Sequence, residues 1–386
     1  MHILIIHQYF LTPETGGAIR SYFLAKGLSA QGHKISIITS GNRKRYEVTN
    51  IDDIEVHYLP VSYHNRFSKR QRIVSFLRYT WFCTLMAPKI KNVDLVYVIS
   101  SPLTVGFPAL WLNIFYSKPF VFEVGDLWPQ APIEFGVIKN LFIKKFLYSF
   151  ENKVYKSAWK IVALSPPIKD YILNKVPEAE VEVIPNMADI NFYNSVSCDF
   201  PTDMNNPFVI SYFGAISEAN NIEDIILLAV QQPKENNIIF QIMGDGKDAE
   251  KIKEMAKDYG LAKVIFFPFG NRDEVLEKMN ASQAIIITYK DLPVLSTGSP
   301  NKLFDGLAAG KLIIINFKGW IKELIESNKC GYQYLVGDAE DFNRKIKPFL
   351  TDQDLLKTFQ ENARKLAEEK FSKERLIRKL GNFINV

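Results

Sequence analysis

Residues 2–40, HILIIHQYFLTPETGGAIRSYFLAKGLSAQGHKISIITS, decide the fold class. A β-rich run, HILIIHQYF, is followed by a loop carrying Gly16 and Gly17, a helix-period stretch over 18–31, and a second β-rich run, KISIITS. Alternation of this kind implies a parallel sheet covered by helices. The pattern continues through IEVHYLPV, a helical stretch at 67–91, DLVYVIS, PFVFEV, a helix near 139–157 and KIVALS, and VEVIPNMADINFYNS closes the half. After the polar, Pro-containing CDFPTDMNNP it restarts with FVISYFGAI, IIFQIMGDG, KVIFFPF, QAIIITY and KLIIINF. The expected architecture is α/β, with two Rossmann-like, doubly wound parallel-sheet domains facing a central cleft. The expected division is 1–190, 200–370 and a final helix at 371–386 packing back on the first domain, with the boundary near 187–207.

Composition agrees with this reading. A chain of 386 residues exceeds what one core usually supports, and 47% apolar with 23% charged residues describes a packed globular protein. Cys83, Cys198 and Cys330 are odd in number, widely spaced and in no CxxC pair, which argues against a disulfide framework and a zinc site and for a reducing compartment. The first residues lack the basic stretch and apolar run of a signal peptide. Val96–Ser117 carries no charge over 22 residues, long enough to cross a bilayer. Ser100-Ser101-Pro102 interrupts it, so it reads as a strand, a turn and a buried helix.

Charge is uneven. Residues 1–190 hold 22 lysines and arginines against 15 acids, and residues 191–386 hold 25 against 27. The excess concentrates in RFSKRQRIVSFLRYTWFCTLMAPKIK, residues 66–91, where seven basic residues interleave with apolar ones and no acid intervenes. Such a segment suits an interfacial helix on anionic lipid, and equally a solvated helix face over a core. No recognition motif supports a nucleic-acid surface, and no cluster of ligating residues supports a metal.

Open parallel sheets bind ligands beyond the carboxyl ends of their strands, and the residues that draw notice here all follow strands. Gly16 and Gly17 precede the helix bearing Arg20; Glu123 and Asp126 close FVFEVGD; Gly214 ends VISYFG; Gly244 ends FQIMG; and LSTGSPNKLFDGLAAGK, residues 295–311, follows AIIITYK. In that last loop Gly298 permits close backbone approach, and Lys302 adds charge to a helix start that favours an anion. The alternative is an ordinary helix with Ser299 as N-cap, Pro300 at the first helical position and Lys302 solvated.

Taken in order, GGAIRSYFLAKGLSAQGHKISIITS, VEVIPNMAD, YFGAI, IMGDG and SPNKLFDGLAAGK make the chain resemble the retaining, nucleotide-sugar-dependent glycosyltransferases of family four, over essentially its whole length. FEVGDLWP is similar to the bacterial surface-polysaccharide subgroup that includes N-acetyl-fucosamine transferases. The resemblance implies a GT-B fold, an N-terminal acceptor-binding domain and a C-terminal nucleotide-sugar domain. It implies a UDP-sugar donor, a HexNAc or deoxy-HexNAc to be moved, and a polyprenyl-diphosphate-linked saccharide as acceptor in O-antigen or capsule synthesis. The expected location is cytoplasmic, peripheral on the inner membrane, with no cofactor or metal required. Gly16, Gly17, Arg20, Gly214, Gly244, Thr297, Gly298, Ser299, Pro300, Asn301, Lys302, Leu303 and Asp305 fall on its donor-binding positions.

Asp126 is the candidate for the reacting centre, or else a strand-end aspartate capping the next turn, with Glu123 pointing away from it or bracing it; Trp128 suits stacking on an acceptor sugar or isoprenoid unit, or the core, and His7 is a weaker candidate of the kind that is usually structural. Three departures stand out. The family's paired glutamates align with Thr297 and Asp305, so one acid is lost. The loop GAISEANNIED carries Glu218 where relatives place a cation, which leaves Lys302 or Arg20 to supply the charge. Gly125 stands where relatives often have Arg. These departures keep two alternatives open: a catalytically impaired binding partner of another transferase, and a nucleotide-sugar 2-epimerase.

Overall fold

The computed structural model of the chain describes residues 1–17, 19–64, 67–195, 207–233 and 236–385. Arg66 and the linker residues 196–206, where the sequence places much of the domain boundary, lie outside the described residues.

The N-terminal lobe carries strands β1 (His2–Ile6), β2 (Lys34–Gly41), β3 (Glu47–Ile51), β4 (Ile54–Pro60), β5 (Leu95–Ile99), β6 (Phe120–Val124), β7 (Lys160–Ala163) and β8 (Val181–Val183), in the sheet order β3-β4-β2-β1-β5-β6-β7-β8. Its helices are α1 (Arg20–Ala30), α2 (Lys69–Met86), α3 (Gly106–Tyr116), α4 (Gln130–Glu134), α5 (Leu141–Ser157) and α6 (Pro166–Lys175). The second lobe carries β9 (Phe208–Phe213), β10 (Ile238–Met243), β11 (Val264–Phe267), β12 (Ala284–Ile287), β13 (Leu312–Ile315) and β14 (Gly331–Gln333), ordered β11-β10-β9-β12-β13-β14. Its helices are α7 (Ile222–Val230), α8 (Ala249–Asp258), α9 (Arg272–Asn280), α10 (Asn301–Ala308), α11 (Trp320–Ser327), α12 (Ala339–Thr351), α13 (Gln353–Leu366) and α14 (Lys373–Ile384).

Central strands such as HILII, LVYVI, AIII and LIII are buried along their whole length, as strands covered on both faces must be. Two strands had no such signal. β3 is an antiparallel edge, EVTNI, largely exposed and joined to β4 through Asp52 and Asp53 at φ 50° and 64°. β14 is three residues long, and its Gly331 lies so close to β13 that a Cβ would sit 2.2 Å from the Ile313 carbonyl oxygen. The uncharged stretch 96–117 divides into β5, a turn with Ser101 at φ 123°, and α3. Among the described residues no helix is long and apolar enough to cross a membrane.

The chain passes between the lobes twice. The first passage follows β8; the second runs from α13 into α14, and the two meet where Ala188 N donates to Phe371 O at 2.8 Å and Lys373 N donates to Ala188 O at 3.1 Å. α14 then rests on α1 and gives Leu376, Ile377, Leu380 and Ile384 to the N-terminal core. Two glycines set that approach. A Cβ on Gly27 would lie 2.3 Å from Ile377 Cγ2, and one on Gly381 would lie 2.0 Å from Gln31 Oε1. Gly27→Val should therefore overpack the α1–α14 contact and lower stability by about 1–3 kcal/mol. Urea unfolding measures this, and a midpoint equal to wild type would show that α14 is not seated there in solution.

Candidate active site

A cleft of about 990 Å³ opens between the lobes, and a second chamber of about 330 Å³ adjoins it through Arg20, Pro300 and Asn301. The larger space is walled by the Gly16–Gly17 loop on one side and by the ends of β9, β10, β11 and the start of α10 on the other. Gly16 and Gly17 take φ 69° and 86°, a left-handed backbone that side chains resist. A Cβ on Gly16 would meet Gly270 O at 3.7 Å, so the two lobes' loops touch there.

The loop after β12 enters α10 through Gly298, Ser299 and Pro300. Pro300, not Ser299, is the N-cap, and no side chain caps the helix. Ser299 is occupied elsewhere: its Oγ accepts from Asn186 N at 3.2 Å and its carbonyl accepts from Asn186 Nδ2. The ordinary capped helix is thus not what forms: Leu303 N donates to Pro300 O at 3.1 Å, and the N–H groups of Asn301 and Lys302 at the helix start face no capping side chain.

Lys302 stands beside that helix start. Its Nζ donates to Tyr212 Oη at 2.8 Å and to Asn220 Oδ1 at 3.4 Å, and lies 3.9 Å above the Tyr212 ring. Among the described residues no carboxylate lies within ion-pair distance of it. Burial pushes the ammonium down to about 7. Gly214, at φ 133°, makes room, since a Cβ there would lie 3.3 Å from Lys302 Nζ. Three residues on, Asp305 lines the same cleft, and burial raises its carboxyl to about 7 against the lowering effects of Arg272 and of a hydrogen bond with Tyr193.

The smaller chamber holds His7, Asp126, Tyr289 and Gly298. Asp126 opens to the chamber yet is ringed by protein, which raises its carboxyl above the usual range; Ser101 Oγ donates to its Oδ2 at 3.0 Å and opposes the rise. His7 bonds Ser21 Oγ through Nδ1 at 2.9 Å, and burial lowers its pKa to about 4, so the ring is neutral near pH 7.

Several expected contacts are corrected by this geometry. Arg20 does not reach across the cleft. Its Nε and Nη2 donate to the two oxygens of Glu123 at 2.9 and 3.0 Å, and its remaining bonds go to the carbonyls of Ile184 and Pro185. Glu123 is wholly buried and also accepts from Tyr97 Oη at 2.5 Å, so it braces Arg20 and leaves Asp126 to Ser101. Leu303 is a core side chain with no exposed surface. Thr297 turns its hydroxyl to Val294 O at 2.7 Å, and its carbonyl accepts from Ser165 Oγ of the other lobe at 2.5 Å. Gly244 lies behind the wall, where a Cβ would collide with Gly214 O at 1.8 Å. Trp128 packs on the N-terminal core with its ring edge-on to Phe76.

Other wall residues had no motif to announce them. Arg272 opens α9 at the cleft and pairs with Asp189 at 2.8 Å; Tyr193, Tyr212 and Asn220 complete the surroundings of Asp305 and Lys302. Arg272 does follow a strand, so the strand-end rule that singled out the other loops reaches it. Glu218, the acid in the loop after β9, is answered by Lys290 at 2.6 Å.

Comparison with known proteins places this geometry. The family described as Glycosyltransferase Family 4 matches residues 15–192, and the family described as Glycosyl transferases group 1 matches residues 200–366. An uncharacterized glycosyltransferase of Methanocaldococcus jannaschii, MJ1069, is 24% identical over 258 residues, which is 63% of this chain and 64% of that protein. The match therefore spans just under two thirds of that relative. Sucrose-phosphate synthase from Thermosynechococcus elongatus is similar in structure, with a TM-score of 0.78 over 99% of this chain and 97% of that one at 14% identity. Anabaena HepE, solved with UDP and glucose, aligns with a TM-score of 0.71 over 100% and 99% of the two chains at 16% identity. These likenesses show the GT-B fold. With one family matched on each lobe and nearly the whole chain covered between them, the chain belongs to the glycosyltransferases of the family-four type.

Proposed function

We propose that the chain is a retaining transferase that moves a sugar, a HexNAc or deoxy-HexNAc, from a UDP-sugar to a polyprenyl-diphosphate-linked saccharide in surface-polysaccharide synthesis. One observation carries the reading: Lys302, half-buried and with no carboxylate partner among the described residues, stands beside an uncapped helix start, and Asp305 stands one turn further along the same cleft wall. Even a half-buried ammonium loses hydration that no counter-charge here restores, so the site favours an anion that completes it. A nucleotide diphosphate does so, with phosphate oxygens on the α10 N–H groups and Lys302, and the ribose hydroxyls donating to Asp305. UDP is the choice by family resemblance and by the UDP bound to Anabaena HepE.

In this reading the leaving diphosphate develops its charge against Lys302 and the helix start, which stabilise it without reorganisation. Lys302 also reaches Asn220 in the very loop whose sequence lacks a cation. Asp126, at the wall of the adjoining chamber, positions the acceptor hydroxyl or stabilises positive charge at the anomeric carbon, with neutral His7 nearby as a hydrogen-bonding group. The basic start of α2 meets the cytoplasmic face of the inner membrane, where a lipid-linked acceptor is presented.

Calorimetric titration tests the assignment. Charge-assisted hydrogen bonds are worth about 1.5–3 kcal/mol, so Lys302→Ala should weaken UDP binding by roughly ten- to a hundredfold. Asp305→Asn should weaken UDP more than its 2′,3′-dideoxy analogue. Unchanged affinity in both variants, with the fold intact by circular dichroism, sinks the proposal. Incubating donor with and without a lipid-linked saccharide, with anomeric configuration read by NMR, then tests transfer and retention; product formed without acceptor would indicate an isomerase.

The same two groups set a pH dependence. Free Lys302 titrates near 7 and a bound diphosphate raises its pKa, so above pH 7 binding takes up a proton and affinity falls as pH rises. Free Asp305 also titrates near 7, and hydroxyl donors favour its carboxylate, so below pH 7 binding releases a proton and affinity falls as pH drops. Titration with UDP-glucose, whose diphosphate diester does not ionise in this range, should give a maximum near neutrality. Lys302→Met should remove the alkaline limb and Asp305→Asn the acid limb; a flat wild-type profile would refute both assignments.

A further inference from the structure

The outer helices of the N-terminal lobe carry an apolar surface that the donor cleft does not explain. α5 opens with Leu141, Phe142, Ile143 and Phe146, exposed by 76%, 85%, 50% and 69%. This is ordered helix, since the Asn140 side chain caps it by accepting from Phe142 N and Ile143 N at 2.9 and 3.1 Å. α3 packs beside α5 and exposes Ile114 and Phe115; α2 packs beside α3 and exposes Ile73, Leu77, Trp81 and Leu85, a stripe at four-residue spacing. The inward side of α2 is Ser75, Tyr79 and Cys83, so the helix is apolar towards solvent as well as towards the core. Between α2 and α3 runs an apolar groove of about 550 Å³, walled by Leu77, Trp81 and Phe107.

Charge identifies the occupant. Residues 67–157 hold twelve lysines and arginines and five acids. Each of those acids is engaged within the protein: Asp94 by His2 N, Glu123 by Arg20, Asp126 by Ser101, Glu134 by Gln130 and Glu151 by Lys175. Lys139, Lys144 and Lys145 flank the apolar turn of α5, and Lys69, Arg70 and Arg78 lie along α2. Apolar faces on three helices packed in sequence, bordered by cations and with every acid of the segment already bonded within the protein, complement a bilayer of anionic lipid.

We propose that α2, α3 and α5 form a single docking surface for an anionic bilayer, in which the first turn of α5 is an apolar wedge seated below the headgroups and its lysines lie at the lipid phosphates. This extends the membrane contact proposed for the start of α2 to two further helices, and it rests on that reading for the location alone. Nothing in it depends on the donor site.

Flotation of the full chain with phosphatidylcholine vesicles, with and without phosphatidylglycerol, tests it. Wild type should float with the anionic vesicles and far less with the neutral ones. Replacing Leu141, Phe142 and Phe146 together by Ser should weaken partitioning by a hundredfold or more, because three large apolar side chains no longer leave water. Changing Lys139, Lys144 and Lys145 to Gln should weaken it by about a hundredfold at low salt and remove the preference for anionic lipid. Both variants should keep the circular dichroism spectrum and UDP affinity of wild type. Flotation of the Ser variant equal to wild type overturns the proposal, as does failure of wild type to float. A wild-type dimer in sedimentation that dissociates in the Ser variant would assign the surface to a second copy instead. UDP affinity is measured on the same samples, so a failed donor assignment with flotation intact is told apart from a failed wedge.

Discussion

The relation between the lobes depends on one buried carboxylate. Asp189, 5% exposed, accepts from Arg272 at 2.8 Å and from Lys373 at 2.5 Å. Burial alone would raise its pKa, but Lys373 and Arg272 hold it below the usual carboxylate range. Lys373 begins the helix that returns to the first lobe, Arg272 begins α9 at the cleft, and Asp189 lies on the first passage between lobes. One side chain therefore ties both crossings to the wall of the site. Removing it would leave two partly buried cations without their partner, a far larger loss than that of an exposed ion pair. Its influence extends further, because Asp189 and Arg272 act in opposite directions on Asp305.

The positions of the loops were readable from sequence; the destinations of their side chains were less so. Every loop at the cleft follows a strand of a parallel sheet, and strand order alone gathers those ends at one edge. Arg20 illustrates the limit. A cation at the start of the helix after a glycine loop suggests phosphate, but Glu123, more than a hundred residues away, lies beside it and takes two of its bonds. Local sequence cannot show that pairing. Thr297 was likewise drawn to its own turn, where the Val294 carbonyl lies within reach. Leu303 was different: Leu303, Phe304 and Leu307 recur at the spacing of a buried helix face, while Lys302 and Asp305 share the other. Helical phase alone was enough to separate those two from the core.

The loop that meets the proposed diphosphate is held from the opposite lobe at three places. Ser165 Oγ donates to Thr297 O, Asn186 donates twice to Ser299, and Glu134 Oε2 accepts from Val294 N at 3.0 Å. These bonds explain why Ser299 does not cap α10. Its hydroxyl serves the inter-lobe contact, and the helix start is left uncapped as a consequence. The geometry that closes the two lobes is therefore the same geometry that leaves the start of α10 without a side-chain cap.

Glu134 carries this connection outward. Its other oxygen accepts from Gln130 Nε2 at 2.6 Å, and Gln130 Oε1 accepts from Tyr148 Oη at 2.6 Å. Tyr148 belongs to α5, the helix whose first turn bears the exposed Leu141 and Phe142. Three hydrogen bonds thus run from the apolar helix through α4 to the turn that precedes Gly298. If the lobes part, the Glu134–Val294 bond must break or α4 must follow, because the carboxylate is held to Gln130 on the N-terminal side. The apolar helix and the loop before Gly298 are thus joined by a polar path through α4.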